Sequence, residues 1–379
     1  MKITINQQKL IHTLEMITRV SIKHVTLPVL QCVLITVKDS VVNLKATNLE
    51  IGIEVELEAV IEEDGIVAVS ASTLLSAVQY ITKKEVVLTV VEGVLTVDSG
   101  SGKTTINTIP HEEFPSITKL TTPGTQIQKN LFALGIKTVA FAASQSSIKP
   151  ELGSIYVQQK KEHSLTFVAT DSFRLMEKTV PQKNFILDQT LLIPQKNAIE
   201  LARICDLLET DPVLIINENQ CALSFSEGVY ITSRLISGSF PDYEQIIPKE
   251  YVTHTTVLKN DLLQAFKKTH VFLNKFMQVT IKVLSDSLVV ASQNGEIGTT
   301  TDTVKVHTDG QELTLNFNQQ YLIDPLQHIS DESVVLHFAG IGRPLVLQGT
   351  SDNTLRYLVM PMNKWNEQMP KGHIANFRE

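Results

Sequence analysis

Hydrophobic residues recur along this chain at two periods, near 3.6 and near 2, and the switches between them predict its elements. Helical spacing predicts a helix from Asn6 to Val20, with Leu10, Ile11, Leu14, Met16 and Ile17 toward one side. A second such run covers Lys129 to Ala143, with Leu131, Leu134, Val139 and Phe141, and a third covers Lys259 to Phe272, with Leu262, Leu263 and Phe266. Each is an amphipathic helix with one face to bury. Shorter helices are predicted over Ser72–Tyr80, Gln195–Leu208 and Asn318–Ile329, where Ser70 and Asn318 are suited to N-caps and Pro194 to a helix start. The rest alternates like strand. Val86–Val91 and Val94–Val97, with Glu92-Gly93 between them, form a hairpin pattern that Val213–Ile216 with Ala222–Phe225, and Val334–Phe338 with Leu345–Gln348, repeat.

The elements come in three copies. Leu44-Lys45-Ala46-Thr47-Asn48, Phe167-Val168-Ala169-Thr170-Asp171 and Val289-Val290-Ala291-Ser292-Gln293 each end an apolar strand in a polar turn. They lie roughly 123 residues apart, one domain's worth of chain. The prediction is an α+β fold of three tandem units, each two helices on antiparallel sheets. The boundaries fall at 1–122, 123–251 and 252–379, near Thr122-Pro123-Gly124 and around Tyr251 to His254. Tandem copies of this size can stay separate or close into a ring, and the sequence does not give the rotation that decides it.

Composition narrows the function. The 379 residues are 43% hydrophobic, so each unit can hold its own core and disorder is excluded. No run of about 18 apolar residues is present, and the N-terminus alternates like a strand without a signal-peptide pattern, so the expectation is a cytoplasmic protein with no membrane contact. The net charge of −7 argues against a simple nucleic-acid binder, although an acidic chain can carry a local basic stripe. Cys32, Cys205 and Cys221 are too few and scattered for disulfides or a zinc knuckle. Ser99-Gly100-Ser101-Gly102-Lys103-Thr104 imitates a phosphate loop, but Val97 stands where that motif needs glycine, so it reads as a surface turn. Asp171 has no nucleophile elbow, close carboxylate or metal cluster to work with, and His163 and His254 read as solvated loop residues. No catalytic residue, metal or cofactor is expected.

Four motifs carry a resemblance. Phe240-Pro241-Asp242-Tyr243 with Glu244-Gln245-Ile246-Ile247-Pro248, Val168-Ala169-Thr170-Asp171-Ser172-Phe173-Arg174-Leu175, Thr26-Leu27-Pro28-Val29-Leu30 and Tyr357-Leu358-Val359-Met360-Pro361-Met362 stand in the order and at the distances of the bacterial DNA sliding clamps, the β subunits of DNA polymerase III. Over residues 1–362 the chain resembles that family. The resemblance implies a head-to-tail homodimeric ring, helices lining the hole and sheets outside. It implies a non-catalytic processivity factor that encircles duplex DNA without reading sequence. The implied partners are the replicative polymerase, a clamp loader and other replication and repair proteins. A ring needs only weak phosphate contacts, because topology supplies the hold.

The resemblance also places sites. DNA-facing candidates are His24, Lys137, Lys149, Lys196, Arg203, Lys267 and Lys268; Lys149 and Lys196 match basic family positions, and for each of the seven taken singly ordinary solvated helix surface is the competing role. A partner-peptide pocket is implied at Leu152, Thr170, Ser172, Phe173, Arg174, Leu175, Pro241, Ile246, Pro344, Leu358, Met360, Pro361 and Met362, with core burial the competing role for Leu175, Ile246 and Leu358. The dimer joint is implied at Leu74, Leu75 and Ile106 against Val271 and Phe272, core burial again competing at Leu74 and Leu75. The chain departs from the family at Ala71-Ser72-Thr73, which lacks basic residues, at Phe173 and Asn363, where polar or basic groups are common, and in a tail from about Asn363 that holds Trp365 and Phe377. These departures keep open a divergent clamp-fold scaffold that binds proteins with little or no DNA encirclement. The tail is expected either to be disordered or to fold over the pocket.

Overall fold

The computed structural model describes residues 1–21, 26–100, 102–146, 148–183 and 185–362. The first repeat runs β1 (Lys2–Asn6), α1 (Gln7–Val20), β2 (Cys32–Lys38), β3 (Val41–Thr47), β4 (Ile51–Leu57), β5 (Ala59–Glu63), β6 (Gly65–Ser70), α2 (Ala71–Val78), β7 (Glu85–Val91), β8 (Val94–Asp98) and β9 (Lys103–Asn107). The second runs β10 (Gly124–Gln126), α3 (Lys129–Val139), β11 (Ser154–Gln158), β12 (Ser164–Thr170), β13 (Arg174–Pro181), β14 (Leu191–Pro194), α4 (Gln195–Leu207), β15 (Val213–Ile216), β16 (Gln220–Ser224) and β17 (Val229–Arg234). The third runs β18 (Thr253–Leu258), α5 (Lys259–Thr269), β19 (Gln278–Val283), β20 (Ser287–Asn294), β21 (Gly298–Lys305), β22 (His307–Gly310), β23 (Leu313–Asn318), α6 (Gln319–Ile323), β24 (Ser333–Phe338), β25 (Leu345–Gly349) and β26 (Leu355–Val359).

Local chemistry sets the boundaries. The Asn6, Ser70 and Asn318 side chains accept from the Lys9, Thr73 and Gln320 amides and so cap α1, α2 and α6. Glu92 and Gly93 both take positive φ, 48° and 75°, as a two-residue hairpin requires. The last helix is far shorter than Asn318–Ile329. Pro325 has no amide to give the Tyr321 carbonyl, so α6 stops at Ile323 and a 3₁₀ turn, Asp324–Gln327, follows. The Tyr321 carbonyl instead accepts from the Tyr357 hydroxyl at 2.7 Å. In α3 the buried stripe is Phe132, Ala133, Ile136 and Val139, and Leu134 is exposed, contrary to expectation. A Cβ on Gly135 would meet the Phe167 ring at 2.3 Å, so it is the glycine side of the helix that lies against the sheet. His254, expected in a loop, is a strand residue of β18. Between β8 and β9 the Ser99 amide donates to the Gly102 carbonyl at 3.0 Å, and a strand rather than a helix follows.

The chain forms two compact units: Met1–Asp171 with Lys178–Phe240, and Ser172–Glu177 with Pro241 onward. In the first, one sheet has the order β5-β1-β7-β8-β9 and another the order β10-β15-β16-β17-β4-β3-β2-β6. The second sheet joins two repeats through the antiparallel β17–β4 pair, Val229 opposite Val55 and Ser233 opposite Ile51. This unit also holds β14-β11-β12 and the Lys178–Pro181 end of β13. In the second unit the order is β26-β25-β24-β18-β22, with Arg174–Glu177 beside β26, and β21-β20-β19-β23 forms a separate sheet. Helices pack in pairs, α1 with α2, α3 with α4 and α5 with α6, over cores such as Ile3, Leu10, Leu14 and Leu88, or Phe266, Phe317 and Phe338.

The repeats agree down to single hydrogen bonds. In the first unit the Arg234 amide donates to the Glu50 carbonyl at 2.8 Å and the Ile236 amide to the Leu192 carbonyl at 2.9 Å. In the second the Met360 amide donates to Phe173 at 2.8 Å and the Met362 amide to Asn316 at 2.7 Å. Leu49 and Ser172, each two residues past the matching Thr47 and Thr170, share left-handed φ values of 76° and 78°.

Candidate functional site

Of the second unit's partner-surface candidates, Phe173, Pro344, Met360, Pro361 and Met362 gather where β26 ends. The left-handed Ser172 kinks the chain, and Phe173 beyond it is 61% exposed. The Met360 amide bond to Phe173 brings those two residues together. Pairing of Leu345 with Val359 sets Pro344 opposite Met360, and Met362 bridges to Asn316 of β23. Pro344, Met360, Pro361 and Met362 are half-buried. Pro241 is exposed, and Ile246, 48% exposed, ends a 3₁₀ turn, Tyr243–Ile246. The Tyr243 hydroxyl donates to Glu177 Oε2 at 2.6 Å and fixes that turn. Leu175 and Leu358 are wholly buried and act as core beneath this surface rather than as its exposed lining. Methionine adapts to differing apolar partners while proline and aromatic rings stay rigid, a composition suited to apolar peptide side chains.

Arg174 is held in place. Its Nη1 donates to Asp324 Oδ2 at 2.5 Å, and its guanidinium lies 4.4 Å from the Tyr321 ring centroid. The sequence marks Tyr243 only as part of the Phe240-Pro241-Asp242-Tyr243 motif and does not mark Tyr321 or Asp324; Asp324 stands 150 residues from Arg174, and Tyr243 66 residues from Glu177, so no local pattern shows what they hold. In the first unit, Leu152 and Thr170 are buried, Leu152 in a turn where its amide donates to the Lys149 carbonyl.

The helices hold the second feature. Together the six α-helices carry nine Lys or Arg and four Asp or Glu, net +5, in a chain of net −7. Positive charge is therefore concentrated on helices and negative charge elsewhere. Lys137, Lys149, Lys196, Arg203, Lys267 and Lys268 are all exposed. Lys137 pairs with Asp206, Arg203 with Glu200 at 2.6 Å and Lys268 with Asp302 at 2.9 Å, which weakens their outward field. Lys129 Nζ donates to the Cys205 carbonyl at the C-terminal end of α4, a favourable place for a cation. The α2 and α6 helices carry no charge. His24, Asn363 and the tail with Trp365 and Phe377 lie outside the described residues.

Of the candidate joint residues, Leu74 is fully buried in its own unit and belongs to the core. Leu75 is half-buried on α2, which packs beside β9, and Ile106 of β9 is nearly buried. Val271 is 63% exposed and Phe272 half-buried, in the turn beside β21. The cysteines offer no nucleophile: burial pushes the Cys32 thiol up to about 11 and those of Cys205 and Cys221 to about 12. Among the described residues no group of three or more His, Cys, Asp or Glu stands together.

Three family models match in succession: the DNA polymerase III beta subunit N-terminal domain over residues 1–118, the central domain over 126–242 and the C-terminal domain over 244–363. The chain belongs to the DNA polymerase III β sliding-clamp family. The fold expected from the motifs, three clamp domains in tandem, is the fold found. The beta sliding clamp of Buchnera aphidicola from Acyrthosiphon pisum is 25% identical over 96% of this chain and 100% of its own length. That of Pseudomonas putida is 26% identical over 96% and 100%. The solved DNA polymerase III beta subunit of Thermotoga maritima superposes with a TM-score of 0.90 at 24% identity, covering 96% of this chain and 99% of that one.

Proposed function

We propose that two copies of this clamp join head to tail as a ring around duplex DNA and tether the replicative polymerase, catalysing nothing themselves. The observation that carries this reading is the pair of open sheet edges. The last strand of the second repeat, β17, pairs with β4, and that of the third, β26, pairs with Arg174–Glu177. The last strand of the first repeat, β9, and the matching strand of the third, β21, are left at sheet edges among the described residues. An edge invites pairing, and edges related by repeat invite the pairing already made twice. Leu75, Ile106, Val271 and Phe272 are the apolar contacts assigned to that joint. The net +5 of the helices supports their facing DNA, with Lys149, Lys196 and Lys267 carrying most of the contact because among the described residues no carboxylate pairs with them.

The partner-peptide site of the second unit is assigned to Ser172, Phe173, Arg174, Pro241, Ile246, Pro344, Met360, Pro361 and Met362 over Leu175 and Leu358. The three domains are assigned to 1–122, 123–251 and 252–379, and the compartment to the cytoplasm. A clamp-fold scaffold with weak DNA encirclement is the second reading, favoured by the uncharged α2 and the three neutralised cations. Loading onto nicked circular DNA by a cognate loader, followed by a processivity assay, separates the two. The clamp stays on the circle and lengthens polymerase products. A scaffold binds the polymerase peptide and does neither.

A further inference from the structure

His254 and His337 stand directly opposite each other on β18 and β24, 83 residues apart in sequence. Cross-strand partners point to the same face of a sheet. Here their rings are nearly perpendicular, 80° apart, and their Nδ1 atoms approach to 2.7 Å. One ring must then be a neutral acceptor, since two protonated nitrogens cannot share that contact. Both rings are half-buried, and Tyr251 packs on both, with centroids 5.7 Å and 5.2 Å away. On the other flank of His254, Asp309 of β22 stands directly opposite on the same face and is exposed. The Arg356 charge reaches Tyr251 from β26, so the pocket holds one carboxylate and one cation at its margins.

We propose that His254 and His337 form a chelating site for one divalent transition-metal ion. The two Nδ1 atoms face each other across 2.7 Å, and turning both rings toward a shared ion would make a bidentate site. Metal–imidazole bonds of about 2.0–2.1 Å at a right angle place the nitrogens about 2.9 Å apart, against about 3.3 Å for a tetrahedral ion. The observed 2.7 Å lies nearer the first value than the second. The site therefore suits a tetragonal ion, Cu²⁺ or Ni²⁺, with the remaining positions taken by water. Asp309, opposite His254 in the register, adds negative charge at the margin of the site. The sequence conceals this pair, because metal motifs are recognised by short spacing and these ligands meet only through strand register.

The test is calorimetric titration of the full chain, free of any histidine tag, with Ni²⁺ at pH 7.5. One equivalent per chain is expected, at least tenfold weaker in His254→Ala and in His337→Ala and unchanged in His307→Ala, which removes an exposed histidine of β22. Circular dichroism checks that each variant is folded. Independently of any variant, electron paramagnetic resonance of Cu²⁺ on the unaltered chain should show two equatorial nitrogens. A titration the same in all four proteins, no saturable binding, or a copper signal with one nitrogen overturns the site.

Discussion

Glu54 is a buried carboxylate on β4 that Lys119 meets at 2.9 Å, Lys45 at 3.2 Å and Asn43 at 2.6 Å. Burial alone would raise its pKa, but these three partners outweigh burial and hold it below the ordinary value. A depressed folded pKa contributes stability that is present above the unfolded value, about 4.3, and is lost as pH falls through the folded one. Glu54→Gln should cost roughly 1–2 kcal/mol at pH 7 and flatten the acid limb of a urea-unfolding series run from pH 7 to pH 3. On the partner surface, Met360→Ala with Met362→Ala removes two half-exposed flexible side chains. The expected result is a tenfold or greater loss in affinity for a clamp-binding peptide, read by fluorescence anisotropy, with no change in oligomeric mass. Phe173 and Arg174 were legible in the sequence as site candidates; Asp324 and Tyr321, which fix the guanidinium, were not, because only the fold brings them there.

Helix ends and sheet edges govern the next scale. Tyr357→Phe deletes the hydroxyl that satisfies the Tyr321 carbonyl where Pro325 cannot, and should cost roughly 1–3 kcal/mol in thermal or urea unfolding of the second unit. A smaller loss would mean that water replaces the hydroxyl. Caps and hairpins were readable from sequence because they depend on near neighbours: Ser70, Asn318 and Glu92-Gly93 lie where their residue types predict. The exposure of Leu134 was not, because α3 turns on the fit between Gly135 and a ring on another strand. At the open edge beside β21, Val271→Glu puts a charge on a residue that is exposed in the single chain and assigned to the joint. It should raise the dimer dissociation constant at least tenfold in analytical ultracentrifugation and leave the monomer's melting temperature unchanged. An unaltered dimer would remove Val271 from the interface.

For the whole molecule, the division of charge matters more than its total. A net of −7 discourages contact with DNA everywhere except along helices that carry net +5. Contacts of that strength are screened by salt, whereas a closed ring is not. Raising salt from about 50 to about 200 mM should therefore strip the protein from linear DNA and leave it on nicked circles once loaded. Equal loss from both, measured by gel filtration of loaded complexes, would show that electrostatics rather than topology holds it.

The repeat, the α+β class, the hairpins and caps, and the family are all readable before folding, since each is written in spacing or in motifs that stay contiguous. Tertiary structure decided which leucines are core, as at Leu74, which lysines are already neutralised, as at Lys137, and which strands remain open, as at β9 and β21. The histidine pair belongs with these. His254 reads as a loop residue in isolation and becomes half of a converging pair only because β18 and β24 align in one register. Local pattern records what a residue does with its near neighbours; burial, pairing and convergence depend on partners that only the folded chain supplies.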